Sequence, residues 1–315
     1  MTVYNGERYI REAIDSILNQ TFEDYEFLII EDCSTDETLK IIKGYQDPRI
    51  KVVKNEKNIG FIQSLNEGIA LSQGEYIARQ DADDISLPDR LLEEVIFLDN
   101  NPDVAMVGTG REVIDETGVR IMNFSPKKDP TFQDICNGNP FQHSSIMIRN
   151  NILLEFGGYN ELFPSCEDYA LWLFIAKKYQ VHNIPKILCK LRVHNESVSV
   201  KKFEEQVISH IFAVRMATSQ LADNDMDNIK KFGIKYLKNN LLKNEKILYL
   251  NRLAGYHRIN ENFKEARNTY LEIVLMDPWN LTALANYFRM FLGRRFVSET
   301  TKIYIILREN MNYKM

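Results

Sequence analysis

The sequence predicts an α/β domain built on a mostly parallel sheet, followed by an all-α C-terminal region. Three observations predict it. Short apolar runs alternate with stretches of helical periodicity through the first hundred residues, the pattern of βαβ units. Clusters of acidic residues directly follow two of those runs. From about Phe203 the strand-like runs fade and helical periodicity takes over. The expected division is 1–202 and 203–315.

The elements follow in order. Asn5-Gly6-Glu7 is a turn, and Ile10, Ala13, Ile14, Ile17 and Leu18 then fall on one helical face. Phe27-Leu28-Ile29-Ile30 is continuously apolar, as a strand buried on both faces should be, and ends in Glu31-Asp32. Ser34-Thr35-Asp36-Glu37 has the spacing of a capping box and predicts a helix start. Ile50-Lys51-Val52-Val53 is the next extended element. Asn58-Ile59-Gly60 breaks the chain before a helix through Ile62, Leu65 and Ile69. Tyr76-Ile77-Ala78 is a short strand running into Gln80-Asp81-Ala82-Asp83-Asp84. Only Met1-Thr2-Val3 stands where such a fold places its first strand. That strand is therefore expected to be truncated, with ~5–6 apolar residues, a typical strand length, encoded upstream of Met1. A sheet short of a central strand would be weakened.

Composition narrows the function. The chain has 315 residues, 44% hydrophobic and 26% charged, enough for a large core. Its net charge of −5 is uneven: residues 1–200 carry 20 Lys/Arg and 32 Asp/Glu, residues 201–315 carry 19 and 12. An acidic front half argues against a nucleic-acid groove, which needs basic surface. The basic back half suits an anionic membrane or an acidic partner, or is simply solvated helix surface. Cys33, Cys136, Cys166 and Cys189 form no C-x-x-C pair, and their wide spacing reads as reduced, cytoplasmic thiols. Nothing near Met1 resembles a signal core, and no run reaches the ~18 apolar residues of a membrane span.

Ligands of parallel α/β sheets bind beyond the carboxyl ends of the strands. Asp32 stands at one such end, and Asp81, Asp83 and Asp84 at another. Asp81-Ala82-Asp83 puts two carboxylates on a strand-to-loop turn, a donor set for Mg²⁺ or Mn²⁺ beneath a diphosphate. The competing reading is an acidic turn capping the helix near Pro88. Asp32 is a hydrogen-bond acceptor for a ribose or base, or the cap of the helix after Ser34. No G-x-G-x-x-G follows the first turn, which disfavours a dinucleotide enzyme. A nucleotidyltransferase would carry a glycine-rich basic loop near the N-terminus, and none is present. Asp168 opens an amphipathic segment with Leu171, Trp172, Phe174 and Ile175. A helix start there would expose it to the cleft, with the helix dipole lowering its pKa; Glu167 and Asp168 could equally be caps. His143-Ser144 could face an acceptor. His194 could bind the metal or diphosphate, or serve as a structural donor.

The ordered blocks Val3-Tyr4-Asn5-Gly6-Glu7, Ser16-Ile17-Leu18-Asn19-Gln20-Thr21 and Glu31-Asp32-Cys33-Ser34-Thr35-Asp36 resemble family 2 glycosyltransferases. Asn58-Ile59-Gly60, Asp81-Ala82-Asp83-Asp84, Gly157-Gly158-Tyr159-Asn160-Glu161 and Glu167-Asp168 before Leu171-Trp172 extend the resemblance to roughly residues 1–200. The resemblance implies a glycosyltransferase A (Rossmann-like) fold, a nucleotide-sugar donor, commonly of uridine, a divalent metal (Mn²⁺ or Mg²⁺) and inversion at the anomeric carbon. It implies that Thr2 and Tyr4 line the base and ribose pocket, that Asp32 contacts the base, and that Asn5, Glu7, Asn58, Gly60 and Ala82 belong to the donor site. Asp81 would meet the ribose or metal, Asp83 would coordinate the metal, and Asp168 would be the general base, with Glu167 near the acceptor. Thr2 stands where Pro is usual. The implied activity moves a sugar to a hydroxyl of a saccharide or lipid-linked acceptor in surface polysaccharide or glycoconjugate synthesis. The alternative is an impaired scaffold acting through its helical tail.

In the back region, Asp223-Asn224-Asp225-Met226-Asp227-Asn228 reads as a polar linker. Leu253-Ala254, Ala266, Tyr270 and Pro278 keep the spacing of a tetratricopeptide repeat, so a repeat-like or ordinary helical hairpin is expected near 247–292, with Leu284, Tyr287 and Phe291 as a partial continuation. Arg289, Arg294, Arg295, Lys302 and Arg308, interleaved with Phe288, Phe291, Leu292, Phe296 and Ile303, would suit peripheral contact with the inner face of the plasma membrane.

Overall fold

A computed structural model describes residues 1–194, 202–221 and 224–291. The chain divides into two compact units between Lys201 and Lys202.

The first unit is α/β. It opens with β1 (Thr2–Val3), α1 (Ile10–Leu18), β2 (Phe27–Glu31), α2 (Thr38–Lys43), β3 (Ile50–Lys54), α3 (Phe61–Leu71) and β4 (Tyr76–Ala78). It continues through β5 (Ile85–Ser86), α4 (Arg90–Asn100), β6 (Val104–Ile114), β7 (Arg120–Phe124) and α5 (Phe132–Asn137). A 3₁₀ turn at His143–Ser145, β8 (Ile146–Arg149), α6 (Asn150–Glu155), α7 (Glu167–Lys178) and β9 (Gln180–Arg192) complete it. The apolar face read for α1 is the buried one: Ile10, Ala13, Ile14 and Ile17 pack with Val3, Phe27, Ile29 and Ile42. Each Ile, Val or Phe side chain so buried contributes ~1.5–3 kcal/mol relative to exposure.

The strands form two sheets. β1, β2 and β3 pair in parallel, with Thr2 opposite Ile30 and Phe27 opposite Ile50. The second sheet has the order β4-β8-β6-β9-β5, with β7 on β6. Parallel pairing recurs there only between β6 and β9; the other four pairings are antiparallel. The first sheet is therefore wholly parallel and the second mostly antiparallel, and of the antiparallel neighbours there β6 and β7 are joined by a short hairpin connection, residues 115–119.

β2 and β4 do not pair. Both line one cavity of about 750 Å³, walled by apolar side chains that include Ile17, Leu65, Ile69 and Leu91. The Met1 α-amine lies beside it, donates to the Leu28 carbonyl at 2.9 Å, and burial lowers its pKa to about 4.

The expected capping box at Ser34–Glu37 does not form. α2 begins later, at Thr38, and its N-cap Glu37 makes no side-chain cap bond. The Ser34 N–H donates instead to Glu31 Oε1, and Asp36 accepts from the N–H groups of Thr38 and Glu7. Long-range latching outcompeted the local cap.

The second unit is helical: α8 (Phe203–Ala217), α9 (Asp225–Phe232), α10 (Lys235–Asn239), α11 (Lys243–Ile259), α12 (Phe263–Met276) and α13 (Leu281–Arg289). α11 and α12 pack as a hairpin, with Ala254 and Ala266 fully buried where close approach requires small side chains. α13 packs on α12. Asp225–Asn228 is not linker but the first turn of α9, because Arg215 of α8 reaches Asp225 at 3.8 Å and binds Glu245 of α11 through Nε at 2.6 Å. Among the described residues no helix is long and apolar enough to cross a membrane. Arg294, Arg295, Lys302 and Arg308 of the expected membrane-facing stripe, with Leu292, Phe296 and Ile303, lie outside the described residues.

Candidate active site

The turn after β4 is the focus of charge. Asp81 is gripped from two sides. Ser144 Oγ donates to its Oδ2 at 2.6 Å, its own N–H donates to Ser144 Oγ at 3.1 Å, and Arg79 pairs with its Oδ1. Burial opposes ionisation of Asp81, but Arg79, His143 and the Ser144 hydroxyl outweigh it and hold the pKa below the ordinary value. Asp83 meets His194 Nε2 at 2.9 Å through Oδ2. Its pKa is raised, first by burial and then by the charge of Asp81, with His194 pulling the other way. Asp84 is buried, accepts from the Arg192 N–H at 2.9 Å, and burial pushes its pKa well up.

α7 supplies the opposite carboxylates. Its first two residues are Glu167 and Asp168, after Cys166 at the N-cap. The helix is anchored by Trp172, which is 0% exposed, and by Tyr169, whose hydroxyl donates to the Ile135 carbonyl at 2.7 Å. Asp168 accepts from Asn139 Nδ2 at 3.3 Å. The dipole does not win at this position. Burial, and then the charge of Asp81, raise Asp168 to about 6 against the N–H of Tyr169 and the amide of Asn139. Glu167 is pushed to about 8, by burial first and by Asp168 second. Asp81, Asp83, Asp84, Glu167 and Asp168 therefore share one electrostatic neighbourhood.

Other expected residues lie elsewhere or serve differently. Asp32, at the end of β2, is 3% exposed and fully engaged. Its Oδ1 accepts from Asn55 Nδ2 and the Ile59 N–H, its Oδ2 from the Gly60 N–H, each at 2.9 Å. It pins the Asn58–Gly60 loop, where Gly60 adopts φ +94° and Asn58 is exposed. Asn5 and Glu7 latch onto the loop after β2: Asn5 Oδ1 accepts from the Thr35 N–H at 2.8 Å, and Glu7 Oε2 from the Glu37 N–H at 2.9 Å. Thr2 is buried and its Oγ1 has no hydrogen-bond partner, while Tyr4 is exposed. Ala82 packs against the core of the first sheet. His143 is buried, pairs through Nε2 with the Tyr159 hydroxyl at 2.8 Å, and burial lowers its pKa to about 3, so its imidazole is neutral. Ser144, expected near an acceptor, is 1% exposed and serves Asp81.

Several site residues carried no assignment from sequence. Arg79 and Gln80 extend β4, and Arg192 ends β9. Their signal was a charged or amide side chain at the end of an apolar strand. The Gly157-Gly158-Tyr159 block has a backbone cause. Asn66 donates to the Tyr159 carbonyl and accepts its N–H, each at 2.8 Å, and a Cβ on Gly158 would collide with that amide.

Among the described residues no three Asp, Glu, His or Cys side chains gather into a cage for a metal ion. Mg²⁺ and Mn²⁺ do not require one, since one or two carboxylates with phosphate oxygens and water suffice. The half-buried Asp83 with His194 fits that donor set, whereas Asp81 is already engaged by Arg79 and Ser144.

The chain is similar to known proteins in sequence and in fold. The family described as Glycosyl transferase family 2 matches residues 1–163. An uncharacterized glycosyltransferase of Haemophilus influenzae is 30% identical over 315 residues, covering 95% of this chain and 92% of its own length. The O-antigen biosynthesis glycosyltransferase WbnJ of Escherichia coli is 36% identical over 207 residues, 62% of this chain and 79% of that protein. In fold, the chain is similar to S. aureus TarS 1–349 in complex with UDP, with TM-score 0.56 and 19% identity over 92% of this chain and 88% of that one. It is also similar to the mannosyltransferase PcManGT from Pyrobaculum calidifontis in complex with GDP-Man and Mn²⁺, with TM-score 0.55 and 17% identity over 99% and 85%.

Proposed function

The chain belongs to glycosyl transferase family 2 and is a glycosyltransferase, and on that premise we propose that it moves a sugar from a nucleotide donor to a hydroxyl with inversion. The relative named for O-antigen biosynthesis supports an acceptor that is a saccharide or lipid-linked saccharide of a surface polysaccharide. The ligands named with the two similar structures support a nucleoside diphosphate donor, with UDP our first choice of carrier.

One observation carries the reading. A carboxylate tuned to about 6 stands at the start of α7, electrostatically coupled to the acidic turn after β4. A base poised near neutral pH accepts a proton effectively and is still ionised in working conditions. Asp168 takes the proton of the acceptor hydroxyl. The acceptor oxygen bonds to the anomeric carbon from the face opposite the leaving group, and the bond from that carbon to the diphosphate oxygen breaks. Asn139 orients the Asp168 carboxylate through its amide. Glu167, held at about 8, stays protonated at neutral pH and is a hydrogen-bond donor there. Asp83 and His194 would hold the divalent cation, Mn²⁺ or Mg²⁺, which when bound supplies positive charge against the departing diphosphate. Asp32 orders the Asn58–Gly60 loop over the donor.

The test is the D168N variant, with nucleoside diphosphate release and donor binding measured side by side. The expected result is a rate loss of ~10²–10⁴-fold with donor affinity nearly unchanged. Undiminished turnover would remove Asp168 from the reaction.

A further inference from the structure

The three carbonyls of the acidic turn are tied from behind by two side chains, and one of these has all of its hydrogen-bonding capacity spent on the task. Gln80 is 3% exposed. Its Nε2 donates to the Asp81 carbonyl at 3.1 Å and to the Asp84 carbonyl at 2.8 Å, bridging the two ends of the turn. Its Oε1 accepts from Ser86 Oγ at 2.7 Å and from Arg90 Nη1 at 3.2 Å. An amide has two donor hydrogens and two acceptor lone pairs, so nothing is left over. The support behind it is rigid: Arg90 is 0% exposed, donates to the Ile146 carbonyl at 3.0 Å and pairs with the equally buried Glu94 at 3.2 Å. From the other side, Arg192 Nε donates to the Asp83 carbonyl at 3.0 Å, while its Nη2 pairs with Glu12 at 2.6 Å.

We propose that Gln80 is a positioning residue: its amide fixes the Asp81–Asp84 turn so that the Asp83 carboxylate is presented with His194 as a ready-made seat for a divalent cation. This rests on the reading that Asp83 and His194 hold that cation. The physical reason is entropy. A four-residue turn that holds Asp81, Asp83 and Asp84 so close together repels itself. Left untied, it would splay and present its carboxylates over many geometries. Groups that orient ligating carboxylates are typically worth ~10–100-fold in metal affinity. Gln80 is buried with its whole amide spent inside the protein, so its effect should appear in cation binding before any chemistry.

The experiment titrates Mn²⁺ alone into the purified full chain and reads the free ion by electron paramagnetic resonance, beside D83N, Q80M, Q80E and S86A. Wild type should bind and D83N should not; equal binding by both would remove the cation seat and the proposal with it. Q80M keeps the volume and loses all four bonds, and is expected to weaken Mn²⁺ binding at least tenfold. S86A removes one bond to Oε1 and leaves both donors in place, so it should lower the melting temperature without changing Mn²⁺ affinity. If Q80M shifts affinity no more than S86A does, Gln80 is merely structural and the proposal is overturned. Q80E keeps its acceptor bonds to Ser86 and Arg90, preserving the fold, but loses the amide donors. Its added negative charge would by itself tighten Mn²⁺, so weaker binding in Q80E supports positioning and tighter binding refutes it.

Discussion

The pH dependence of transfer follows from where α7 begins. Asp168 is raised from the ordinary aspartate value to about 6, by burial first and by Asp81 second. A general base acts only when ionised. Above pH 6 most molecules are competent; one unit below, about a tenth are, and each further unit costs about another factor of ten. The Asp168–Glu167 pair titrates with apparent values near 6 and 8, so over that window it carries one charge. The assay is the initial rate of nucleoside diphosphate release at subsaturating donor, followed from pH 5 to 9 at constant ionic strength. The expected profile rises through an apparent pKa of about 6. D168N should show a residual rate with that acid limb gone. A wild-type rate that is flat between pH 5 and 7 refutes the assignment. So does a limb that survives unchanged in D168N, because the titrating group would then be another residue.

Three further outcomes are expected. Glu167 is 8% exposed and its folded pKa is about 8 against an unfolded value near 4.5; a carboxyl raised on folding favours the native state while protonated, so its contribution is lost as pH climbs from about 4.5 through 8. Glu167→Gln should therefore raise the melting temperature at pH 8, reflecting a stabilisation on the order of a few kcal/mol at most, and hardly change it at pH 4; equal shifts at both pH values would contradict the burial argument. Asp32→Ala leaves the N–H groups of Ile59 and Gly60 and the Asn55 amide without their acceptor; at ~1–3 kcal/mol for such losses, urea denaturation should show a marked drop and the donor KM should rise, whereas unchanged stability would mean the loop is held by something else. Finally, the cavity lined by β2 and β4 has apolar walls, so adding five or six apolar, β-prone residues ahead of Met1 should raise the melting temperature, by about 2–4 °C for each kcal/mol gained, and a polar extension of equal length should not.

The strands and helices of the first hundred residues were legible because hydrophobic period is a local signal. The apolar run at Phe27 became β2, Tyr76–Ala78 became β4 to the residue, and the face read for α1 is the face it buries. The acidic turn after β4 was legible for the same reason, since a strand's end is visible in sequence. What failed to show was any feature decided at a distance. The capping pattern at Ser34 lost to bonds with Glu31, Asn5 and Glu7, residues up to thirty positions away. The antiparallel second sheet depends on β8 returning beside β4 and β6, and no local pattern in Ile146–Arg149 distinguishes the two directions. Ser144 read as an acceptor contact because its pairing with Asp81 spans 63 positions. The Asp168 dipole argument was sound in sign and too small in size: a helix N-terminus contributes ~0.3–1 kcal/mol at exposed sites, while a raise to about 6 reflects a larger cost of desolvation.

That last comparison also explains why a rim so acidic is tolerated at all. Five carboxyl groups crowd the space between the β4 turn and α7, where Arg79 is paired to Asp81 and Arg192 to the Asp83 carbonyl and Glu12. Burial and mutual repulsion raise Asp83, Asp84, Glu167 and Asp168, which favours their neutral forms, and Glu167, at about 8, is protonated at neutral pH. A nucleoside diphosphate brings further negative charge to the same place, and like charges a few ångströms apart in partly buried surroundings repel by several kcal/mol or more. Two arginines already spent on Asp81 and on Glu12 do not offset that. On the reading proposed above, positive charge would arrive with the donor as a divalent cation at Asp83 and His194, the pair braced from behind by Gln80 and Arg192.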